Sequence, residues 1–220
     1  MAVAEQADRG DITAGEEAQV EREGRAIAGE RQTLFSDAVI AIAITLLALE
    51  LPVPEGTTSS ALWHAAVADR AEYLAFGISF LVIWARWSGH HRVFRYVTGF
   101  DSRLGALNSF WLFLQVVVPF AAKVIGGEGA VPARFGFYAL IQAASSITFG
   151  LMVLHIRRAG LYRRAAPAEV LKFGLLRSWI LAFAFLVSIP LFLVSSYSWI
   201  AWIAIPVAAE VVLRLRSRHS

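Results

Sequence analysis

Six apolar stretches recur along this chain, at residues 34–51, 71–89, 104–122, 135–156, 173–194 and 196–213, and their length restricts the fold more than any other feature. About 20 apolar residues, with about 17 to 25 acceptable, carry a helix across the hydrocarbon core of a bilayer. No water is available there to bond the backbone, so such stretches must satisfy their own N–H and C=O groups as helices. The second and sixth are marginal taken singly, but the even spacing makes six the best count. Pro52 and Pro54 end the first stretch, Pro119 lies near the end of the third, and Pro190 and Pro206 fall inside the last two. The expected fold class is therefore an all-α membrane protein with six transmembrane helices per chain.

Composition agrees. The chain is 57% hydrophobic and 17% charged, whereas soluble domains carry about 25% charged residues. The absence of cysteine excludes disulfides, thiol catalysis and cysteine-ligated metal. The net charge of +3 could suggest nucleic acid, but the basic residues are spread over loops between apolar spans. With the N-terminus cytoplasmic, 17 of the 20 Lys and Arg residues fall on the inner side, and only Arg70, Lys123 and Arg134 fall outside. That is a strong positive-inside bias, and an even number of spans puts both termini in the cytoplasm. The expected location is thus the cell inner (plasma) membrane. Residues 1–29, rich in Glu and Asp with Ala and Gly between them, offer no apolar face. They read as a disordered acidic cytoplasmic tail whose end extends the first helix. Residues 30–216 then form the membrane domain, and 217–220 a short C-terminal tail.

The first span carries the most informative local pattern, Arg31-x-x-x-Phe35-Ser36-Asp37 running into an apolar helix. An ionisable side chain at membrane depth costs about 2.5–3.5 kcal/mol on insertion scales, so it usually has a partner and a purpose. On a helical projection Ala38, Ile42, Thr45 and Leu49 form one stripe, with Leu46 beside it, while Asp37 points about 140° away from Ile42. Asp37 should therefore face a neighbouring helix. From periodicity alone, ordinary packing against lipid or another helix is the simplest reading of the Ile/Leu stripe.

A second polar cluster lies at the cytoplasmic end of spans two and three: Trp84, Trp87, His90, His91, Arg92, Phe94, Asp101, Arg103 and Asn108. The topology brings Asp37, His90, His91 and Asn108 to the same side of the membrane, where a buried carboxylate could accept hydrogen bonds. Adjacent His90 and His91 point about 100° apart on a helix and cannot easily share an ion, which argues against a metal site. A hydrolase lacks a convincing nucleophile and base. The bland alternative is that these groups only snorkel and anchor at the interface.

The F-S-D signature with its leading arginine resembles the prokaryotic members of the transmembrane protein 175 family of potassium channels. The likeness continues in Trp87-x-x-His90-His91-x-x-Phe94, in Asp101-x-Arg103-Leu104, and in Asn108 ahead of Pro119-Phe120. It covers Arg31 to Phe120 by motif and the later spans by number and length only. The resemblance implies a cation channel permeable to potassium, not an enzyme, with no cofactor beyond the permeant ion. It implies a homotetramer in membrane lipid whose central pore is lined by the first helix. Ile42, Leu46 and Leu49 would then form apolar constriction layers, with Thr45 as the polar layer between. Arg31, Phe35, Ser36 and Asp37 would join Trp87, His90, His91 and Asn108 in a structural polar network.

No T-V-G-Y-G loop is present, so a carbonyl selectivity filter is not available, and no arginine-rich span could sense voltage. A proton-coupled secondary transporter and a non-conducting membrane scaffold remain the alternatives. Neither an internal repeat nor a midplane polar site favours the transporter. In the fourth span, Gln142, Ser145, Ser146 and Thr148 read as small polar packing residues.

Overall fold

The computed structural model describes residues 2–127, 129–163, 166–195 and 197–217. Their regular structure is helical: α1 (Ala2–Leu49), α2 (Ser59–Ala68), α3 (Arg70–Phe94), α4 (Ser102–Gly126), α5 (Val131–Arg158), α6 (Ala168–Phe192) and, after a 3-10 turn at Ser198–Ile200, α7 (Ala201–Ser217). Four stretches are long and apolar enough to cross a membrane, namely Ile27–Leu49, Ser102–Gly126, Val131–Arg158 and Ala168–Phe192. This is a multi-pass membrane protein. The other two expected spans fall short for different reasons. With 25 residues α3 is long enough, but Arg86, His90, His91 and Arg92 dilute its apolar character. With 17 residues α7 is short, and it ends in Arg214-Leu215-Arg216.

Two segments depart from the sequence reading. The stretch expected as a disordered tail over residues 1–29 continues α1 as helix back to Ala2. Its alanines and glutamates are strong helix formers, which sustains the conformation without an apolar face to bury. The side chains of residues 1–18, and residues 218–220 of the expected C-terminal tail, lie outside the described set. The second departure is α2, which was not anticipated. It starts where Ala61 N–H donates to Thr58 Oγ1 at 3.2 Å, a side-chain N-cap. Gly56 allows that entry, since a Cβ there would lie 2.7 Å from the Leu62 backbone nitrogen.

The packing order follows the chain. Helix α1 rests on α3 and α4, α5 sits between α4 and α6, and α7 leans on α6. One apolar cluster joins them through Ile40 and Leu47 of α1, Ile83 of α3, Trp111 and Val118 of α4, Met152 of α5 and Phe185 of α6. At one end the loops pair: Thr98 N–H donates to Leu161 C=O at 3.0 Å and Arg163 N–H to Tyr96 C=O at 2.9 Å. Gly160, with φ of 67°, makes that reversal after α5, a left-handed position that suits glycine. At the other end an exposed ion pair links Lys123 of α4 to Glu50 just past α1.

Close helix approach depends on small residues, as it does where lipid gives no hydrophobic drive between helices. A Cβ on Gly150 would meet Ser178 Cβ at 3.3 Å, and one on Gly174 would meet Val93 Cγ2 at 3.3 Å, whereas Gly136 faces open space. Gly150→Val is therefore expected to cost about 1–3 kcal/mol by forcing α5 from α6. Gly136→Ala should gain about 0.5–1 kcal/mol by removing a mid-helix glycine. Thermal unfolding of the two purified variants in one detergent checks both signs.

Candidate functional site

Helix α1 has two faces of opposite fate. Ile40, Ala43 and Leu47 are 2%, 0% and 2% exposed, whereas Ile42, Leu46 and Leu49 on the other side are 57%, 42% and 79% exposed. The buried face is the one laid on α3 and α4. The stripe read from periodicity, with Ala38 and Thr45 also exposed, is the face that the protomer leaves uncovered. Thr45 Oγ1 donates its proton to the Ile42 carbonyl at 2.8 Å. Its oxygen is then left to act as an acceptor.

Just N-terminal to this stripe, two polar anchors dock α1. Asp37 Oδ1 accepts from Trp87 Nε1 at 2.9 Å, so the carboxylate does face a neighbouring helix. Ser36 is buried; its hydroxyl donates to the Gln32 carbonyl at 2.8 Å and accepts from Asn108 Nδ2 at 3.0 Å. Since the Asn108 amide nitrogen faces Ser36, its oxygen faces His90 Nε2 at 2.9 Å, and that nitrogen carries the proton. The His90 ring lies between Phe94, with centroids 3.8 Å apart, and Trp111, 4.8 Å away. Its Nδ1 is buried with no partner among the described residues.

The expected cluster is therefore only partly assembled. Ser36, Asp37, Trp87, His90 and Asn108 come together across α1, α3 and α4. His91 stays exposed and contributes a ring contact to Trp87, with centroids 5.6 Å apart. Arg31 and Phe35 are also exposed, and neither makes a side-chain hydrogen bond among the described residues. The 100° offset between adjacent helical residues explains why only one of the two histidines enters the bundle.

Sequence reasoning missed a deeper polar chain. Arg86, one of the inner-side charges of the topology count although it falls in the second apolar stretch, lies within α3, about 12 Å from that helix's end at the α-helical rise. Its Nη2 donates to the Gln142 carbonyl at 2.6 Å and to Ser146 Oγ at 3.1 Å. Gln115 Nε2 donates to Ser145 Oγ at 2.6 Å, and Ser79 Oγ pairs with Tyr138 Oη at 3.1 Å. The spacing of Gln142, Ser145 and Ser146 on one face of α5 was the available signal. Sequence reasoning also missed His155, whose Nε2 lies 2.8 Å from Asp101 Oδ2.

Asp101 caps α4 by accepting from Leu104 N–H at 2.7 Å. Burial raises its carboxyl pKa, but the Leu104 N–H, the His155 ring and the Arg103 N–H together bring it below the ordinary carboxylate value. A depressed folded-state pKa contributes stability above the unfolded value, about 3.9 for Asp, and that contribution is lost as pH falls through the folded value. Melting followed from pH 6 down to pH 3 should show wild type losing its advantage over Asp101→Asn below about pH 4. For the α1 anchor, a double-mutant cycle of Ser36→Ala with Asn108→Ala should give a coupling of about 0.6 kcal/mol, and at most about 1.7, as measured between membrane helices.

Comparison with known proteins places this geometry. Residues 31–119 match a family model described as the endosomal/lysosomal potassium channel TMEM175. A potassium channel of Streptomyces collinus is 37% identical over 134 residues, covering 59% of this chain and 65% of that protein. One of Chamaesiphon minutus is 34% identical over 145 residues, covering 61% of this chain and 64% of that protein. The aligned part of the chain thus spans just under two thirds of each of these curated relatives. A solved structure of a lysosomal potassium-selective channel TMEM175 homologue, also from Chamaesiphon minutus, superposes with a TM-score of 0.66 at 27% identity. That match covers 86% of this chain and 98% of the other. The matched region holds the α1 stripe, its polar anchors, all of α3 and most of α4, and over it the chain is similar to the TMEM175 potassium-channel family.

Proposed function

We propose that this chain is the subunit of a potassium-permeable cation leak channel, assembled as a homotetramer around the exposed face of α1. The observation that carries the reading is the two-faced first helix: a buried face locked to α3 and α4, opposite an apolar stripe that nothing in the protomer covers. Four such stripes around an axis would bury one another's edges and leave a narrow apolar passage. The names of the relatives, potassium channels, support potassium as the permeant ion. Alpha3 and α7 complete six spans, and the basic loops place both termini on the cytoplasmic side of the plasma membrane.

In such a passage Ile42, Leu46 and Leu49 form successive apolar layers one turn apart. An apolar constriction conducts when wide enough to stay wet and closes by dewetting when slightly narrower. Small rotations of α1 are enough to switch it. Selectivity among monovalent cations then rests on dehydration cost and on the ring of Thr45 oxygens, which act as acceptors because their protons are held by the Ile42 carbonyls. The anchors on the far side have a different task. Asp37 and Ser36 fix the rotation of α1 through Trp87 and Asn108, so the stripe faces one way. Arg31, Phe35 and the exposed His91, all at the same end of the bundle, remain to meet a neighbouring subunit.

The test is potassium flux from liposomes holding the purified protein, with sodium exchanged in as competitor. Wild type should pass potassium in preference to sodium without added substrate. Ile42→Asn should raise flux several-fold by keeping the constriction hydrated, and Thr45→Val should narrow the preference for potassium. Absence of flux from an intact tetramer would overturn the channel reading in favour of a transporter or scaffold. Unchanged flux in Ile42→Asn would overturn the pore assignment alone.

A further inference from the structure

On the side of α3 away from α1 lies a groove of about 340 Å³, walled by α3, α5, α6 and the start of α7. It exists because the α3 backbone approaches α6 only sparsely and stands off α5, which it reaches through the side chains of Ser79 and Arg86. Its wall is largely apolar, with Ile78 and Val82 of α3, Phe149 of α5 and Leu181 and Phe185 of α6. Three arginines also line it, Arg86, Arg92 and Arg177, and no carboxylate does among the described residues.

These arginines form a ladder. Gly174 of α6 sits against Val93 of α3, where an added Cβ would come within 3.3 Å of Val93 Cγ2. The two helices run antiparallel, so Arg177 stands about half a turn deeper than Arg92, and Arg86 about one turn deeper again. A guanidinium stays charged at any physiological pH. The ion pairs among the described residues join Lys123 to Glu50, His155 to Asp101 and Lys172 to Glu169, and none reaches this ladder. Arg86 spends Nη2 on the Gln142 carbonyl and Ser146, while its Nη1 is buried with no acceptor among the described residues. Uncompensated charge at membrane depth is costly, and a ladder of cations beside an acyl-sized apolar trough suits an amphipathic anion.

We propose that this groove binds an anionic phospholipid from the leaflet nearer the C-terminal end of α3. The headgroup phosphate is held by Arg92 and Arg177, and Arg86 draws it inward. One acyl chain lies along Ile78, Val82, Leu181 and Phe185. Basic pockets between transmembrane helices recognise lipid headgroups by this combination of charge and apolar wall. The site is separate from the α1 stripe, because α3 presents Ile83, Trp87 and His90 to α1 and α4 on its other face.

Native mass spectrometry of the full chain, released from detergent and titrated with phosphatidylglycerol or phosphatidylcholine of identical acyl chains, tests it. Phosphatidylglycerol should bind more tightly. Arg92→Gln with Arg177→Gln, both exposed and outside the apolar core, should weaken it roughly thirtyfold, about fivefold for each arginine near the lipid surface. Gly89→Leu adds a side chain where a Cβ meets nothing within 4 Å, so it should fold normally yet obstruct the groove and weaken both lipids. Equal binding of the two lipids, or phosphatidylglycerol binding unchanged in both variants, would overturn the proposal. Displacement of the lipid by an equal concentration of inorganic phosphate would overturn the lipid assignment in favour of a soluble-anion site.

Discussion

A polar side chain that enters a helical membrane bundle is stabilised by a partner inside the bundle, and in this protein that preference fixes how α1 is held. Ser36 and Asp37 are adjacent, so their side chains diverge and engage different helices, Asn108 of α4 and Trp87 of α3. Two bonds to two helices leave α1 little freedom to rotate. Its apolar neighbours Ile40, Ala43 and Leu47 then bury as one face, and the stripe containing Ile42 and Thr45 is left outward. The orientation of a face that makes no contact in the protomer is thereby set by hydrogen bonds on the opposite side.

Helix α3 is the element that serves both ends of this arrangement. One of its faces carries Ile83, Trp87, His90 and Phe94 into the interface with α1 and α4. The other carries Arg86, Gly89, Arg92 and Val93 toward the groove before α6. A helix with polar groups on both faces cannot score as a simple apolar span, which is why α3 falls below the composition of its neighbours despite its length. Its polarity is a consequence of standing between two partly polar surroundings inside the membrane. Helix α5, by contrast, is enclosed by α4 and α6, with Ser145 and Ser146 bonded to Gln115 and Arg86 of neighbouring helices.

Much of this was legible from residues alone where the signal is periodic or compositional. The spans announce themselves by length and hydropathy, and the Ile42–Thr45–Leu49 stripe follows from 3.6-residue periodicity. The divergence of Asp37 from that stripe is simple helical geometry, and the Asp37–Trp87 bond agrees with it. Other features were not legible because they depend on which helices meet. Nothing in the adjacency of His90 and His91 says which one turns inward. Arg86 has no visible partner within its own apolar stretch until α5 is set beside α3. His155 and Asp101, 54 residues apart, become a pair only because the α3–α4 and α5–α6 loops run side by side.

What this sequence determines by itself is a set of membrane helices, their approximate boundaries and the two-sided character of the first. These properties are local: each follows from the transfer free energy of a contiguous stretch and from the fixed rotation per residue. The tertiary structure alone decided which histidine is buried, where the arginines of α3 and α6 converge and which face of α1 stays uncovered. Those outcomes turn on contacts between residues far apart in the chain. Their register is set by small residues such as Gly150 and Gly174, and by the need of buried polar groups for partners.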